Sequence, residues 1–371
     1  MSQIELGLDT FGDLTAGPGG RPNHPAQVLR DVLSEAELAD RLGVDFIGLG
    51  EHHRPDFAIS APEVVLAAIA GRTNRIRLGT AVTVLSTDDP VRVYERFSTL
   101  NAVSNGRAEV ILGRGSFTES FPLFGYSLDD YERLFEEKVA LFAAIRDADS
   151  KGEPIHWQGT VRPPLSVAGI SPRVEHPPLS VWVGVGGSPE SVVRAARHGF
   201  PLTLAIIGGD PRRFAGYVEL YHRALAQLGG PTLPVGVHSP GHIADTDEQA
   251  REQLWPHYEV MRNRIGSERG WPPTNRAEYE REIAVGSLYV GSPDTVARKI
   301  AATVQVLGAS RFDLKYSAGT LGHEIMLRSI ELYGREVIPR VGHLIPSETR
   351  DLPCGLRKPL PRSLAVLGMR T

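Results

Sequence analysis

Cysteine is all but absent: the 371 residues hold one, Cys354. No disulfide can form within the chain, thiolate metal clusters are excluded, and a reducing, cytoplasmic location is the expectation. Long apolar runs are missing as well. No stretch approaches the roughly 18 apolar residues of a membrane-spanning helix. The opening MSQIELGLDT lacks the basic-then-apolar order of a secretory signal. Nor is there an excess of one charge: 40 basic residues face 44 acidic ones, with no long basic block, so nothing points to nucleic acid. What remains, 41% hydrophobic and 23% charged, is the composition of an ordinary globular protein long enough to bury a large core. A small molecule or another protein chain is the expected partner.

Short runs rich in Val, Ile and Leu alternate with longer segments of helical period. Eight runs stand out: Ile4–Leu8, Phe46–Leu49, Ile76–Val84, Ala108–Leu112, Val181–Val185, Leu202–Ile206, Val235–Ile243 and Phe312–Lys315. Between them, apolar residues recur at three- and four-residue spacing, as at Leu29, Val32, Leu33, Ala36, Ala39 and Leu42. Alternation of this kind implies parallel pairing with helical crossovers. Eight units favour an α/β fold of the (β/α)8 TIM-barrel type over a doubly wound open sheet. Two insertions break the repeat: a Pro- and Gly-rich hairpin near 151–178 and a helical lid near 245–286. Residues 1–340 read as one barrel domain and 341–371 as a peripheral tail.

In a barrel the chemistry sits where strands end. The fifth run leads into "VGVGGSPESVVRAA". Gly186 and Gly187 let backbone amides approach a ligand, Ser188 is a natural N-cap, Pro189 suits the first helical position, and Ser191 lies one turn in. Such a helix start holds an anion such as phosphate, or is simply well capped. The dinucleotide fingerprint is incomplete, because Pro189 stands at its third glycine. "ILGRGSF" places Arg114 between two glycines, ready for a phosphate or for a rim acid such as Glu109 or Glu119. "EHHR", Glu51 to Arg54, follows the second run. Neighbouring residues of an extended strand point opposite ways, so a metal shared by His52 and His53 is disfavoured. A structural pair of histidines, or one histidine facing the mouth as an acid–base group, remains open.

These stretches resemble the bacterial luciferase-like family of flavin-dependent monooxygenases. The resemblance runs through "DRLGVDFIGLGEHH", "IRLGTAVTVLSTDDPVRVYERFSTLNAVSNGRAEVILGRG", "FPLFG" and "VGVGGSPESVVRAARHGFPL", and extends to about residue 340. It implies a barrel binding FMN as FMNH2 at its mouth, with the reduced flavin supplied by a separate reductase. It further implies a C4a-peroxyflavin that oxygenates a small organic substrate with O2. His52 then lies beside the flavin and assists the oxygen chemistry. Ala81 and Val82 form a non-proline cis peptide behind the isoalloxazine, Arg114 contacts the phosphate region, and Gly186, Gly187, Ser188 and Ser191 hold the phosphate. No metal is implied, and a homodimer is. Lys315, at the end of the eighth run, is a candidate to neutralise the cofactor or to form a salt bridge. Light-emitting members carry Cys, a carboxylate and Ala where Gly113, Gly187 and Val82 stand, so light emission is not expected. The alternatives are a deazaflavin-dependent hydride-transfer enzyme and a non-catalytic flavin-binding protein.

Overall fold

The computed structural model describes residues 4–17, 20–175 and 177–345. From the N-terminus it runs β1 (Glu5–Thr10), α1 (Pro25–Leu42), β2 (Phe46–Leu49), α2 (Pro62–Ala70), β3 (Arg77–Thr80), β4 (Thr83–Val84), α3 (Pro90–Val103), β5 (Glu109–Gly113), α4 (Ser120–Leu123) and α5 (Tyr131–Lys151). A hairpin of β6 (Ile155–Trp157) and β7 (Leu165–Val167) follows, antiparallel and packed on α5. The second half runs β8 (Ser180–Val185), α6 (Pro189–Arg197), β9 (Leu202–Ala205), α7 (Ala215–Gln227) and β10 (Val235–Ile243). It ends with α8 (Asp247–Arg269), α9 (Arg276–Ala284), β11 (Tyr289–Gly291), α10 (Pro293–Leu307), β12 (Arg311–Lys315), α11 (His323–Leu332) and α12 (Ile338–Leu344).

Strand order in the main sheet is β3-β2-β1-β12-β10-β9-β8-β5-β4, parallel throughout. β3 and β4 are one barrel strand, broken at Ala81–Val82, whose peptide is cis. Leu78 N donates to Arg107 O at 2.9 Å, which closes the sheet between β3 and β5. The result is the (β/α)8 barrel expected from the pattern, with the hairpin and the two-helix lid where the sequence interrupts its repeat.

Many of the helices begin and end by the same local chemistry. Pro25, Pro62, Pro90, Pro189 and Pro293 open theirs, where a missing N–H costs nothing and φ is preset. Gly43, Gly152, Gly270 and Gly308 close theirs in the left-handed conformation. One strand reading changes: the run Ile76–Val84 is split into two short strands. β10 is continuous through His238-Ser239-Pro240. Pro240 falls after the pairing with β9 ends and before that with β11 begins, so the missing N–H removes no ladder bond there. β11, which extends β10, was not anticipated.

Most of the core lies between sheet and helices. Inside the barrel, Phe46, Ile111 and Trp182 form a separate cluster with Val82 against it. A Cβ at Gly79 would come within 2.6 Å of the Phe46 ring, so these strands need glycine for the ring to fill the barrel. Below this cluster lies a charged floor built from the first residues of four strands. Arg311 donates through Nε to Asp313 at 2.8 Å and through Nη1 to Glu109, and Arg77 bridges Glu109 and Glu5. Burial alone would raise Glu109, but Arg311 and Arg77 hold its carboxyl below the usual range. Among the described residues no helix is long and apolar enough to cross a membrane.

Candidate active site

The opposite rim, at the C-terminal strand ends, gathers the polar side chains. Three separate constructions sit there.

The first surrounds His52. Glu51 and His53 turn away from it: Glu51 accepts from Val84 N at 2.8 Å and meets His53 Nε2 at 2.9 Å. Strand alternation thus divides the histidines as the sequence implies, and Glu51 anchors the segment that follows the cis peptide. His52 enters a collar of Phe11 and Phe57, each at 4.5 Å between ring centroids, and Phe117 at 5.3 Å. Its Nε2 is sealed from solvent and has no hydrogen-bond partner. Burial pushes its pKa down to about 3 against the opposing pull of Asp13, and the Lys315 and Arg54 cations add to the depression. The ring is therefore neutral at ordinary pH. A cleft of about 230 Å³, counted to its open side, is lined by His52, Val84, Gly115, Phe117 and Glu119 among others.

The second is the loop between β8 and α6. Gly187 takes φ +113°, a conformation that favours glycine, and a Cβ at Gly186 would meet nothing within 4 Å. Ser188 caps α6, accepting from Ser191 N at 3.3 Å, and its hydroxyl donates to Glu190 Oε2 at 2.7 Å. Ser191 is buried and accepts from Arg194 Nη1 at 3.2 Å. Arg114 pairs with neither Glu109 nor Glu119. Glu109 belongs to the floor, Glu119 pairs with Arg54, and Arg114 meets Glu132, which also receives Arg194 at 3.3 Å. The Ser188 hydrogen bond first, then Arg114 and Arg194, hold Glu190 below the usual carboxylate range. The start of α6, the two arginines that meet at Glu132 and the open space at Gly186 bring together the donor types that an anion such as a phosphate monoester needs.

The third links β1 and β12. Lys315 is buried, with Nζ 3.0 Å from Asp13 Oδ2 and 4.6 Å from the centre of the Phe11 ring. Asp13 also accepts from Ser317 Oγ at 2.5 Å and Gly319 N at 2.9 Å. Burial would raise Asp13, but these partners hold it low. Beside them, His238 Nδ1 lies 2.5 Å from Asp9 Oδ2. Sequence reading singled out none of Asp9, Asp13, Glu132 and His238 as a site residue. Alternation along the strands was the available signal for Asp9 and His238.

Val82 accounts for the glycine at 113 and for another at 184. A Cβ on Gly113 would lie 2.3 Å from Val82 Cγ2, and one on Gly184 would lie 2.8 Å from Cγ1. The valine occupies the room that a cysteine at 113 would take. Among the described residues, no group of three His, Cys, Asp or Glu side chains is arranged to hold a metal ion.

Residues 10–311 match the model of the luciferase-like monooxygenase family. The chain belongs to that family. It is 28% identical to the 4-hydroxyprotoasukamycin monooxygenase of Streptomyces nodosus subsp. asukaensis, over 83% of this chain and 85% of that one. A monooxygenase from Streptomyces bottropensis superposes with a TM-score of 0.78 at 25% identity, covering 91% of this chain and 99% of its own. The same fold, at 19% identity and a TM-score of 0.73, is seen in the oxygenating constituent of 3,6-diketocamphane monooxygenase of Pseudomonas putida, solved with FMN, over 91% and 98% of the two chains. Membership makes this luciferase-like chain an oxidoreductase. The lid closes over the rim just described: Glu268 and Arg264 of α8 reach Arg54 and Asp56 at 2.7 and 2.6 Å, and Arg269 donates to Ser116 O at 3.1 Å. Trp255 and Tyr258 pack on Tyr279 inside the lid, so these aromatics form its own core.

Proposed function

We propose that the protein is an FMN-dependent monooxygenase acting on a small organic substrate with O2, its reduced flavin delivered by a separate reductase. The observation that carries this reading is the anion cradle of Arg114, Gly186, Gly187 and Ser188 on the same rim as the aromatic collar of His52. A ligand with a phosphate at one end and a planar ring system at the other fits that pairing. The amides opening α6, together with Ser188 and Arg114, hold the phosphate. Ser191 braces the cradle through Arg194. Val82, at the cis peptide, and the cluster beneath it would give the ring system an apolar surface to pack on, and Lys315, held by Asp13, would supply a positive charge in the same mouth. When bound, the reduced flavin supplies the electrons that put one atom of O2 into the substrate and the other into water. The phenylalanines and the lid exclude bulk water from that step, and the collar favours an apolar substrate surface.

Titrating the protein anaerobically with oxidised and dithionite-reduced FMN tests this reading. Tighter binding of the reduced form is expected. In Ser188→Ala/Ser191→Ala the affinity should fall about tenfold or more, since a hydrogen bond to a charged group contributes about 1.5–3 kcal/mol. Binding of a reduced deazaflavin with no binding of FMN would replace the cofactor assignment. Failure of both to bind would remove the flavin reading altogether.

A further inference from the structure

One phenylalanine separates two imidazoles of opposite character. Phe11 meets His52 edge-on at 4.5 Å and 80°, and stacks on His238 at 5.9 Å and 10°. His52 has no acidic partner, and its Nε2 hydrogen-bonds to nothing. His238 is held through Nδ1 by the buried Asp9 carboxylate at 2.5 Å. A carboxylate accepts only, so it fixes the proton of a neutral ring on Nδ1 and leaves the Nε2 lone pair turned away. No described residue hydrogen-bonds to that Nε2, and His238 keeps 7% of its surface exposed. Carboxylate, oriented imidazole and an outward nitrogen make up the arrangement by which proton-transfer groups are positioned in enzymes.

We propose that His238, oriented by Asp9, is a proton-transfer group of this site. The proposal rests on the monooxygenase reading above. The oxygen atom that leaves as water needs two protons. The Nε2 lone pair of His238 first takes up a proton released as the reduced flavin is oxidised, and then gives it to that oxygen, the N–H bond breaking as the O–H bond forms and the ring returning to its neutral Nδ1–H form. Reduced flavin and substrate each give two electrons to O2, so the balance closes with no further reductant. Asp9 acts through His238 and is a positioning residue. The charged groups around the His238 ring are Asp9 from β1 and, from β12, its register neighbour Asp313 and Lys315 two residues on. The facing position of β9 is the uncharged Ala205.

Two measurements decide it. Nitrogen-15 NMR of histidine-labelled protein, assigned with His238→Gln and His52→Gln, should show His238 protonated on Nδ1. It should show the tautomer inverted in Asp9→Asn, whose amide can donate. The second is the rate at which O2 reoxidises bound reduced FMN between about pH 5 and 9. The wild-type pH dependence should vanish in His238→Gln, shift in Asp9→Asn and persist in His52→Gln. A His238 protonated on Nε2, a flat wild-type profile, or a dependence lost in His52→Gln but kept in His238→Gln would overturn the proposal. A dependence kept in all three variants would do the same and point to Asp313 or Lys315. Failure of FMN to bind would appear before any pH profile is recorded, and would overturn the monooxygenase reading with it.

Discussion

The two ends of the barrel treat charge in opposite ways. At the floor, Arg311, Glu109, Asp313, Arg77 and Glu5 are tied into one network, and the guanidinium of Arg311 also lies 3.7 Å from the centre of the Phe46 ring. At the mouth, His52 Nε2 and Asp9 Oδ1 are buried without partners and His238 presents a free nitrogen, while Arg114 and Arg194 share Glu132 and Arg194 also holds Glu136. A compensated charge network holds strands in register. Groups left uncompensated remain available to a ligand. The strand ends of this barrel are thus divided between stability and chemistry, as barrel architecture in general divides them.

The strongest way to break the comparison is at the floor. Arg311→Met strands Glu109 and Asp313 in the interior, and removing one partner of a buried ion pair costs about 3–5 kcal/mol. A corresponding fall in the denaturation midpoint is expected; an unchanged midpoint would show that the floor carries no structural charge. At the mouth, steric fit rather than charge should dominate. Gly113→Ala drives a methyl into Val82 and should cost about 1–3 kcal/mol. Val82→Ala in the same chain should recover most of that loss, giving a measurable coupling between the two positions. Additive effects would mean that the valine does not fill the space a residue at 113 requires.

The collar sharpens the contrast through pH. His52 is depressed from 6.5 to about 3, so the native state refuses a proton that the unfolded chain accepts. Its contribution is therefore neutral above 6.5 and becomes increasingly destabilising as the pH falls toward 3. At pH 5 the loss amounts to at most about 2 kcal/mol, because one pKa unit corresponds to about 1.4 kcal/mol. Wild-type protein should lose stability between neutrality and pH 5 by that much more than His52→Gln. Equal slopes would mean that the ring takes a proton in the native state.

What the sequence made legible follows the same division. The barrel could be read because its strands and helices each declare themselves within some twenty residues: apolar runs, proline at helix starts, glycine at helix ends. The glycine turn and capped start of α6 could be read for the same reason, since Gly186 to Ser191 are neighbours in the chain. The rest of the mouth depends on residues brought together from afar. Asp9 and His238 are 229 positions apart, and Asp13 and Lys315 are 302 apart. The neutrality of His52 depends on three phenylalanines from three different loops. Arg114 found Glu132, at the start of α5 and 18 positions away; a one-dimensional reading offered only the nearer Glu109 and Glu119. The lid's existence was legible from its length and helical period, whereas the residues that fasten it were not.

That fastening gives the smallest expected effect. Arg54 is buried beneath Glu119, Glu268 and the Phe117 ring, whereas Glu268 itself is 45% exposed. An ion pair with one exposed partner contributes less than about 1 kcal/mol, so Glu268→Gln should barely move the denaturation midpoint. The contacts of Glu268, Arg264 and Arg269 clasp α8 to the rim beside the His52 cleft, so the lid is expected to lift for a flavin to enter. Loosening the clasp by up to 1 kcal/mol should then speed FMN association by at most about fivefold. Salt separates this effect from attraction of the phosphate to Arg114 and Arg194. Attraction is weakened equally in both proteins, whereas the clasp is present only in the wild type. The ratio of variant to wild-type association rates should fall toward one as ionic strength rises. A ratio independent of salt would show that the Arg54–Glu268 pair does not hold the lid, and would leave the charges of the mouth with binding as their only task.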